Sequence, residues 1–179
     1  MILAIIGSGG REHAICKKVY ESKKAKKIFC IPGNGGTERI AENIEIDIKN
    51  FAEIKSFLIE NKVDITIIGP EEPLVNGIVD FLKQDNLKVF GPDKYCSQLE
   101  GSKIFTKKIC KKESIPTADF NIFENLESSI NYLKSSNYPL VVKADGLAAG
   151  KGVYICENFS DAKKACEEIF EGKFSKADE

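Results

Sequence analysis

Short apolar runs alternate with amphipathic stretches along the first half of the chain. Runs with the length of strands occupy residues 2–6, 27–31, 64–69 and 87–90. Stretches with apolar residues at helical spacing lie between them, at residues 11–21, 51–60 and 75–84. The run at 64–69 is mostly β-branched, which is typical of a strand covered on both faces. The alternation predicts an α/β fold with a doubly wound parallel sheet.

The pattern changes near residue 100, where we place a boundary between domains at 1–100 and 101–179. Helices are predicted at residues 95–100, 102–113, 126–135 and 161–170, and strands at 118–123, 140–143 and 153–156. The last two strands flank a glycine-rich turn, which predicts a hairpin rather than a βαβ crossover. The second domain is therefore not expected to be another doubly wound sheet.

Composition limits the partners that this chain can have. The 26 basic and 27 acidic side chains nearly cancel, so we expect no nucleic-acid or membrane partner. The opening apolar run is too short for a signal peptide or a membrane span. Six cysteines are scattered without a C-x-x-C pair, which indicates reduced packing residues in a cytoplasmic protein. The one histidine, His13, lacks neighbours for a metal site and is expected to be structural.

A first glycine loop follows the first strand and opens the first helix. Such a turn directs peptide N–H groups and the positive end of a helix dipole at an anion. We therefore expect Gly7, Gly9, Gly10 and Arg11 to contact a phosphate, the guanidinium gripping two oxygens. A turn without a ligand and a solvated surface arginine remain alternatives.

The first glycine loop departs from the dinucleotide-binding fingerprint. Glu12 stands where that fingerprint has its third glycine, and no acidic residue closes the second strand. Both departures argue against an NAD-dependent dehydrogenase.

Two further loops follow neighbouring strands, and their candidate ligand-binding residues are Gly33, Asn34, Gly35, Thr37 and Glu71. Because the carboxyl ends of parallel strands share one crevice, we expect these loops to converge with the first. Peptide N–H groups would hold a phosphate, while Glu71 would accept hydrogen bonds from sugar hydroxyls or an amine. A small phosphorylated sugar fits better than a dinucleotide.

The stretch VVKADGLAAGKGV carries the chemistry of the second domain. Lys143 ends a strand, and a loop of small residues follows, comprising Gly146, Leu147, Ala148, Ala149, Gly150, Lys151 and Gly152. Lysine charge and loop N–H groups suit a triphosphate, and Lys103 adds a second cation at a predicted helix start. The loop is not a P-loop, because Gly152 follows Lys151 where that motif has Ser or Thr. An ordinary turn is the alternative.

The motifs GSGGREHA, PGNGGT, GPEEPLVNG, LEGSK, IPTA and VVKADGLAAGKGV occur in an order and at spacings that resemble the glycinamide ribonucleotide synthetase family. The resemblance covers residues 1 to about 170 and implies a Rossmann-like pre-ATP-grasp domain followed by an incomplete ATP-grasp domain. It implies an ATP-dependent carbon-nitrogen ligase of purine biosynthesis. Glycine's carboxylate would be phosphorylated by ATP, with Mg²⁺ or Mn²⁺, and then captured by the amine of 5-phosphoribosylamine.

The resemblance also assigns roles to residues of this chain. Lys103 and Lys143 would hold the ATP phosphates, and residues 146–152 would form a lid over them. The loops at residues 7–11 and 33–37, with Glu71, would cradle phosphoribosylamine. The family's proteins continue well beyond residue 179, in a part that carries the acidic metal ligands, so we expect an inactive N-terminal portion. The alternative is an isolated module that binds a ribose phosphate without catalysis.

Overall fold

The computed structural model describes residues 1–147 and 152–172 of the chain. The chain divides into two compact units, Met1–Gln98 and Leu99–Glu179. No helix among the described residues is long and apolar enough to cross a membrane.

The first unit is built on a parallel sheet of five strands in the order β3-β2-β1-β4-β5. The strands are β1 (Ile2–Gly7), β2 (Lys27–Pro32), β3 (Glu42–Asn43), β4 (Ile65–Ile68) and β5 (Val89–Phe90). The chain steps outward from β1 to β3, and then returns to the other side of β1 for β4 and β5. This is the doubly wound order, in which ligands bind at the carboxyl edge where the order reverses. The predicted parallel sheet is confirmed.

Five helices surround or follow the sheet: α1 (Gly10–Glu21), α2 (Phe51–Glu60), α3 (Glu71–Val75), α4 (Ile78–Lys83) and α5 (Lys94–Gly101). The single helix predicted at residues 75–84 is wrong, because Gly77 adopts the left-handed conformation (φ +92°) and separates α3 from α4. The sequence pattern also missed β3 and a 3₁₀ helix at Thr37–Arg39. Both are too short to give a periodic signal.

Alternate residues of β1 supply apolar clusters on opposite faces of the sheet. Ala4 and Ile6 join one cluster, whereas Ile5 packs with Cys16 and Cys30 on the other. Burial raises the pKa of the Cys30 thiol to about 12, so this thiol stays protonated. All six cysteines are free thiols, and four of them are buried.

The second unit has an antiparallel hairpin with helices on one face. Its elements are α6 (Lys103–Lys112), α7 (Leu126–Leu133), β6 (Leu140–Lys143), β7 (Val153–Cys156) and α8 (Phe159–Phe170). The register pairs Lys143 with Val153, which confirms the predicted hairpin. Leu133 and Cys156 pack against α8 to form a small core.

The strand predicted at residues 118–123 is wrong. These residues form no strand, because they pair with no other strand among the described residues. The start of the segment is held by the side chain of Lys107. Its ammonium donates to Thr117 Oγ1 (2.7 Å) and to the carbonyl of Ala118 (2.8 Å).

Candidate functional site

Three loops meet at the carboxyl edge of the parallel sheet, following β1, β2 and β4. Arg11 crosses from the first to the third, and its Nη1 donates to Gly69 O (2.6 Å) and Glu71 Oε2 (3.1 Å). Asn34 crosses from the second to the first, and its Nδ2 donates to Ser8 O (2.8 Å). Side chains of the loops themselves therefore hold this edge together.

Asn34 also shapes its own loop. Its Oδ1 accepts hydrogen bonds from the peptide N–H groups of Gly36 (2.7 Å) and Thr37 (3.1 Å). Thr37 is fully buried, and its hydroxyl donates to the Asn34 carbonyl (2.8 Å) and contacts Asn43 Oδ1 (2.7 Å). The Thr37 side chain is therefore engaged inside the loop and does not face a ligand.

Glu12 is a buried carboxylate behind the first glycine loop, with 4% of its surface exposed. Its Oε2 accepts a hydrogen bond from the Gly9 N–H at 2.6 Å. A Cβ at Gly7 would lie 2.6 Å from Glu12 Cγ, and a Cβ at Gly69 would clash with the same side chain. The Glu12 side chain therefore leaves no room for a side chain at Gly69, and at Gly7 it adds to the constraint that the positive φ of +124° already imposes.

Several donors of the first two loops are free. The peptide N–H groups of Ser8, Gly10, Arg11 and Gly35 have no hydrogen-bond acceptor among the described residues. A Cβ at Gly10 or at Gly35 would meet no atom within 4 Å. These two glycines thus border open space on the same edge as the free donors.

Glu71 and His13 lie at the margins of this edge. A hydrogen bond from its own peptide N–H, and then the Arg11 guanidinium, hold the pKa of the Glu71 carboxyl below its ordinary value. The carboxylate therefore stays charged at neutral pH. His13 lies beside Gly36, where a Cβ would come within 2.5 Å of the imidazole Cε1. This packing agrees with the structural role expected for His13.

The second unit has its own cationic loop region at the end of β6. Lys143 is exposed, and its ammonium has no ion-pair or hydrogen-bond partner in the described part of the chain. Lys103 begins α6, and its Nζ donates to the Gly146 carbonyl at 2.8 Å. Both lysines predicted from the sequence thus lie near the start of one loop.

Asp145 joins that loop to the start of α6. Its carboxylate accepts hydrogen bonds from Ser102 Oγ (2.9 Å) and from the Ile104 N–H (3.1 Å). Ser102 Oγ in turn accepts from the Phe105 N–H (3.1 Å), so the helix end is capped twice. The negative charge of the Asp145 carboxylate also interacts favourably with the positive, N-terminal end of the helix dipole.

The base of the loop is closed by a hydrogen bond from the Ala144 N–H to the Gly152 carbonyl (2.8 Å). Leu147 is half-buried, and Gly152 is buried. Four predicted loop residues, Ala148, Ala149, Gly150 and Lys151, lie outside the described residues. Within residues 1–147 and 152–172, no group of three or more His, Cys, Asp or Glu side chains is placed to hold a metal ion.

Comparison with known protein families shows the family to which this chain belongs. The model described as "Phosphoribosylglycinamide synthetase, N domain" matches residues 1–100. The model described as "Phosphoribosylglycinamide synthetase, ATP-grasp (A) domain" matches residues 101–179. The chain belongs to the phosphoribosylglycinamide synthetase family.

Curated members of this family are similar along nearly the whole chain. Phosphoribosylamine–glycine ligase of Clostridium acetobutylicum is 45% identical over 181 aligned residues, covering 98% of this chain and 44% of the relative. The corresponding ligase of Caldanaerobacter subterraneus is 46% identical, with 93% and 40% covered. The chain thus spans less than half the length of these relatives.

Solved structures show the same fold. The crystal structure of phosphoribosylamine–glycine ligase from Thermotoga maritima has a TM-score of 0.77 and 31% identity, covering 97% of this chain and 40% of that one. A biotin carboxylase domain from Hydrogenobacter thermophilus, solved with MgADP, has a TM-score of 0.74 at 18% identity. At that identity the likeness concerns the fold alone.

Sequence reasoning singled out most of the loop residues of the family motifs but missed how some of them act. Glu12 was noted in the sequence only as a departure from the dinucleotide-binding motif. Its position three residues after Gly9 is also that of a glutamate that caps a helix N-terminus, and this role was missed. Asp145 and Ser102 received no role, because their contact spans 43 residues and has no local signal. Asn43 was overlooked because it lies in a two-residue strand.

Proposed function

We propose that this chain provides the sugar-phosphate site and part of the ATP site of a ligase that joins glycine to 5-phosphoribosylamine. The reaction would cleave ATP to ADP and phosphate and would serve purine biosynthesis in the cytoplasm. Family membership and curated relatives with the name phosphoribosylamine–glycine ligase support this assignment. We propose separate roles for residues 1–100 and 101–179, corresponding to the two family models.

One observation carries the sugar-phosphate assignment: Gly10 and Gly35 have no packing reason to be glycine. A Cβ at either residue would meet nothing within 4 Å, and neither has a positive φ. Glycine at such a place lets a ligand approach the backbone closely. The free N–H groups of Ser8 and Arg11 lie near Gly10 in the first loop. A phosphate bound there would satisfy donors that the protein leaves open.

In the second unit we propose that Lys103 and Lys143 bind the phosphates of ATP, with residues 146–152 closing over them. Lys143 supports this role because its charge is exposed and unpaired among the described residues. Lys103 is already oriented by its hydrogen bond to the Gly146 carbonyl. The chain would thus position and neutralise the phosphates, which is the main protein contribution to phosphoryl transfer.

The described residues do not suit the metal ion that accompanies ATP in such reactions. They contain no cluster of three or more carboxylate, imidazole or thiol groups. On this proposal, the ligands of Mg²⁺ or Mn²⁺ come from the part of the longer relatives that this chain does not cover. A module that binds ribose phosphate without catalysis is the second candidate, favoured by the free N–H groups of the first two loops, which would hold a phosphate without ATP.

The sugar-phosphate site is tested by calorimetric titration of the chain with ribose 5-phosphate. We expect Gly10→Ala and Gly35→Ala to weaken binding at least about tenfold, because each methyl group enters the space of the ligand. The same substitutions should leave the free energy of unfolding unchanged or raise it by up to about 1 kcal/mol.

Gly7→Ala is the contrasting variant, because a Cβ there meets Glu12 and Pro70 and the backbone has φ +124°. It should lower stability as well as affinity. Unchanged affinity in Gly10→Ala and Gly35→Ala would refute the proposed site. In a protein that joins this chain to the remaining part of a longer relative, formation of ADP that depends on glycine and phosphoribosylamine would favour the ligase over the binding module.

A further inference from the structure

We propose that Glu12 is a specificity-determining residue, which makes the first glycine loop accept a single phosphate group and reject a pyrophosphate. This inference deepens the proposed function, because it names the class of ligand that the carboxyl edge admits: a sugar phosphomonoester and not a dinucleotide. It rests on two properties of Glu12, the volume that its side chain fills and the charge that it carries.

The volume argument starts from the glycines that surround this side chain. A Cβ at Gly7 would lie 2.6 Å from Glu12 Cγ, and a Cβ at Gly9 would lie 2.8 Å from Glu12 Oε2. A Cβ at Gly69, at the end of the neighbouring strand, would lie 2.5 Å from Glu12 Cγ. Glu12 thus occupies the junction between the start of α1 and the ends of β1 and β4.

This junction is the part of a doubly wound fold that dinucleotide-binding proteins keep free of side chains. Their third loop glycine allows the helix and the strand to pack closely, which places the helix N-terminus against a pyrophosphate. In this chain Glu12 occupies the corresponding position of the loop, with only 4% of its surface exposed. The loop therefore cannot adopt the close packing on which pyrophosphate binding depends.

The charge argument concerns the donors at the start of α1. Glu12 Oε2 accepts a hydrogen bond from the Gly9 N–H at 2.6 Å, so this donor is not available to a ligand. A carboxylate at this position also offsets the positive end of the helix dipole. The remaining free N–H groups of Ser8, Gly10 and Arg11 suit one phosphate. A second phosphate adds negative charge close to a buried carboxylate, which is unfavourable.

Helix capping alone does not account for this arrangement. A glutamate at the third helical position caps its helix by bonding to the N-cap N–H, and this needs no burial between two strands. Here Gly7 and Gly69 both lack a side chain where Glu12 needs room, although only Gly7 has a positive φ. Gly69 has no left-handed φ, so its glycine is explained by the space that Glu12 takes.

Calorimetric titrations with ribose 5-phosphate and with ADP-ribose test the inference on the 179-residue chain. Glu12→Gln keeps the volume and the acceptor for the Gly9 N–H but removes the charge. We expect it to bind ribose 5-phosphate about three- to tenfold more tightly and still to discriminate against ADP-ribose. Glu12→Ala removes volume and charge, and should shift the preference toward ADP-ribose by at least about tenfold.

Glu21→Gln is the matched control, because this exposed carboxylate ends the same helix. Glu21→Gln should change neither the affinity for ribose 5-phosphate nor the affinity for ADP-ribose. An unshifted preference in a folded Glu12→Ala chain would overturn the inference. Should Glu12→Ala not fold, Glu12→Gln decides: tighter binding of ribose 5-phosphate supports the inference, and equal or weaker binding overturns it.

The two proposals fail in different ways. If the wild-type chain binds no ribose 5-phosphate, the proposed function fails at the sugar-phosphate site. Glu12→Ala then still decides the role of Glu12 through ADP-ribose alone, where a gain of binding supports the inference and no gain overturns it.

Discussion

Replacing Asn34 with alanine should loosen two of the three loops at the carboxyl edge. The side chain makes four hydrogen bonds: to the carbonyls of Ser8 (2.8 Å) and Gly9 (3.3 Å), and from the N–H groups of Gly36 (2.7 Å) and Thr37 (3.1 Å). Alanine removes all four and leaves the backbone groups of a half-buried loop without these partners.

The size of the effect follows from these contacts. A typical hydrogen bond contributes a net of about 0.5–1.5 kcal/mol to stability, and the bond to Gly9 is long. Water reaches part of the loop and replaces some of the lost partners. We therefore expect Asn34→Ala to lower the free energy of unfolding of the first unit by about 2–3 kcal/mol. That is a large share of the roughly 5–15 kcal/mol that stabilises a domain.

Urea denaturation followed by circular dichroism measures this change, and hydrogen exchange at the Gly36 and Thr37 amides localises it. Asn34→Asp should have a stability between those of wild type and Asn34→Ala, because it keeps the acceptor Oδ1 but loses the donors to the first loop. Asn76→Ala is the control, since this exposed asparagine makes no side-chain hydrogen bond among the described residues. We expect it to change stability by less than about 0.5 kcal/mol.

The reasoning would be refuted if Asn34→Ala and Asn76→Ala destabilised the chain equally. It would also be refuted if the Gly36 and Thr37 amides exchanged at wild-type rates in Asn34→Ala. Either result would mean that the backbone alone holds the second loop in place.

Two further predictions concern the carboxylates. Asp145→Ala should destabilise the start of α6 by about 1–2 kcal/mol and speed hydrogen exchange at the Ile104 amide, whereas Asp145→Asn, which keeps an acceptor, should recover part of the loss. Equal exchange in both variants would contradict the capping role. The pKa of Glu71 lies below its ordinary value of 4.5, so its stabilisation is present above that pH and is lost as pH falls through the lowered pKa. In acid titrations monitored by circular dichroism, Glu71→Gln should therefore lose stability less steeply than wild type below pH 4.5; identical acid limbs would show that folding does not lower the pKa of Glu71.

Local patterns in the sequence predicted most of the elements. The apolar runs at β1, β2 and β4 are long enough for their periodicity to identify them, and the hairpin was indicated by strands on both sides of a glycine loop. The prediction failed where a single residue or a missing neighbour decided the outcome. Gly77 breaks one predicted helix, and residues 118–123 have the composition of a strand without a strand to pair with.

The sequence by itself determined which chemical groups the loops carry, because glycines and lysines at fixed spacings after strands define donors and charges locally. Only the tertiary structure decided which of these groups are free. Arg11 is engaged by Glu71, 60 residues away, and Thr37 is closed inside its own loop, whereas Gly10 and Gly35 border open space. The physical reason is that burial, and the distant partners that sheet pairing brings to a group such as Arg11, depend on parts of the chain that no local pattern records.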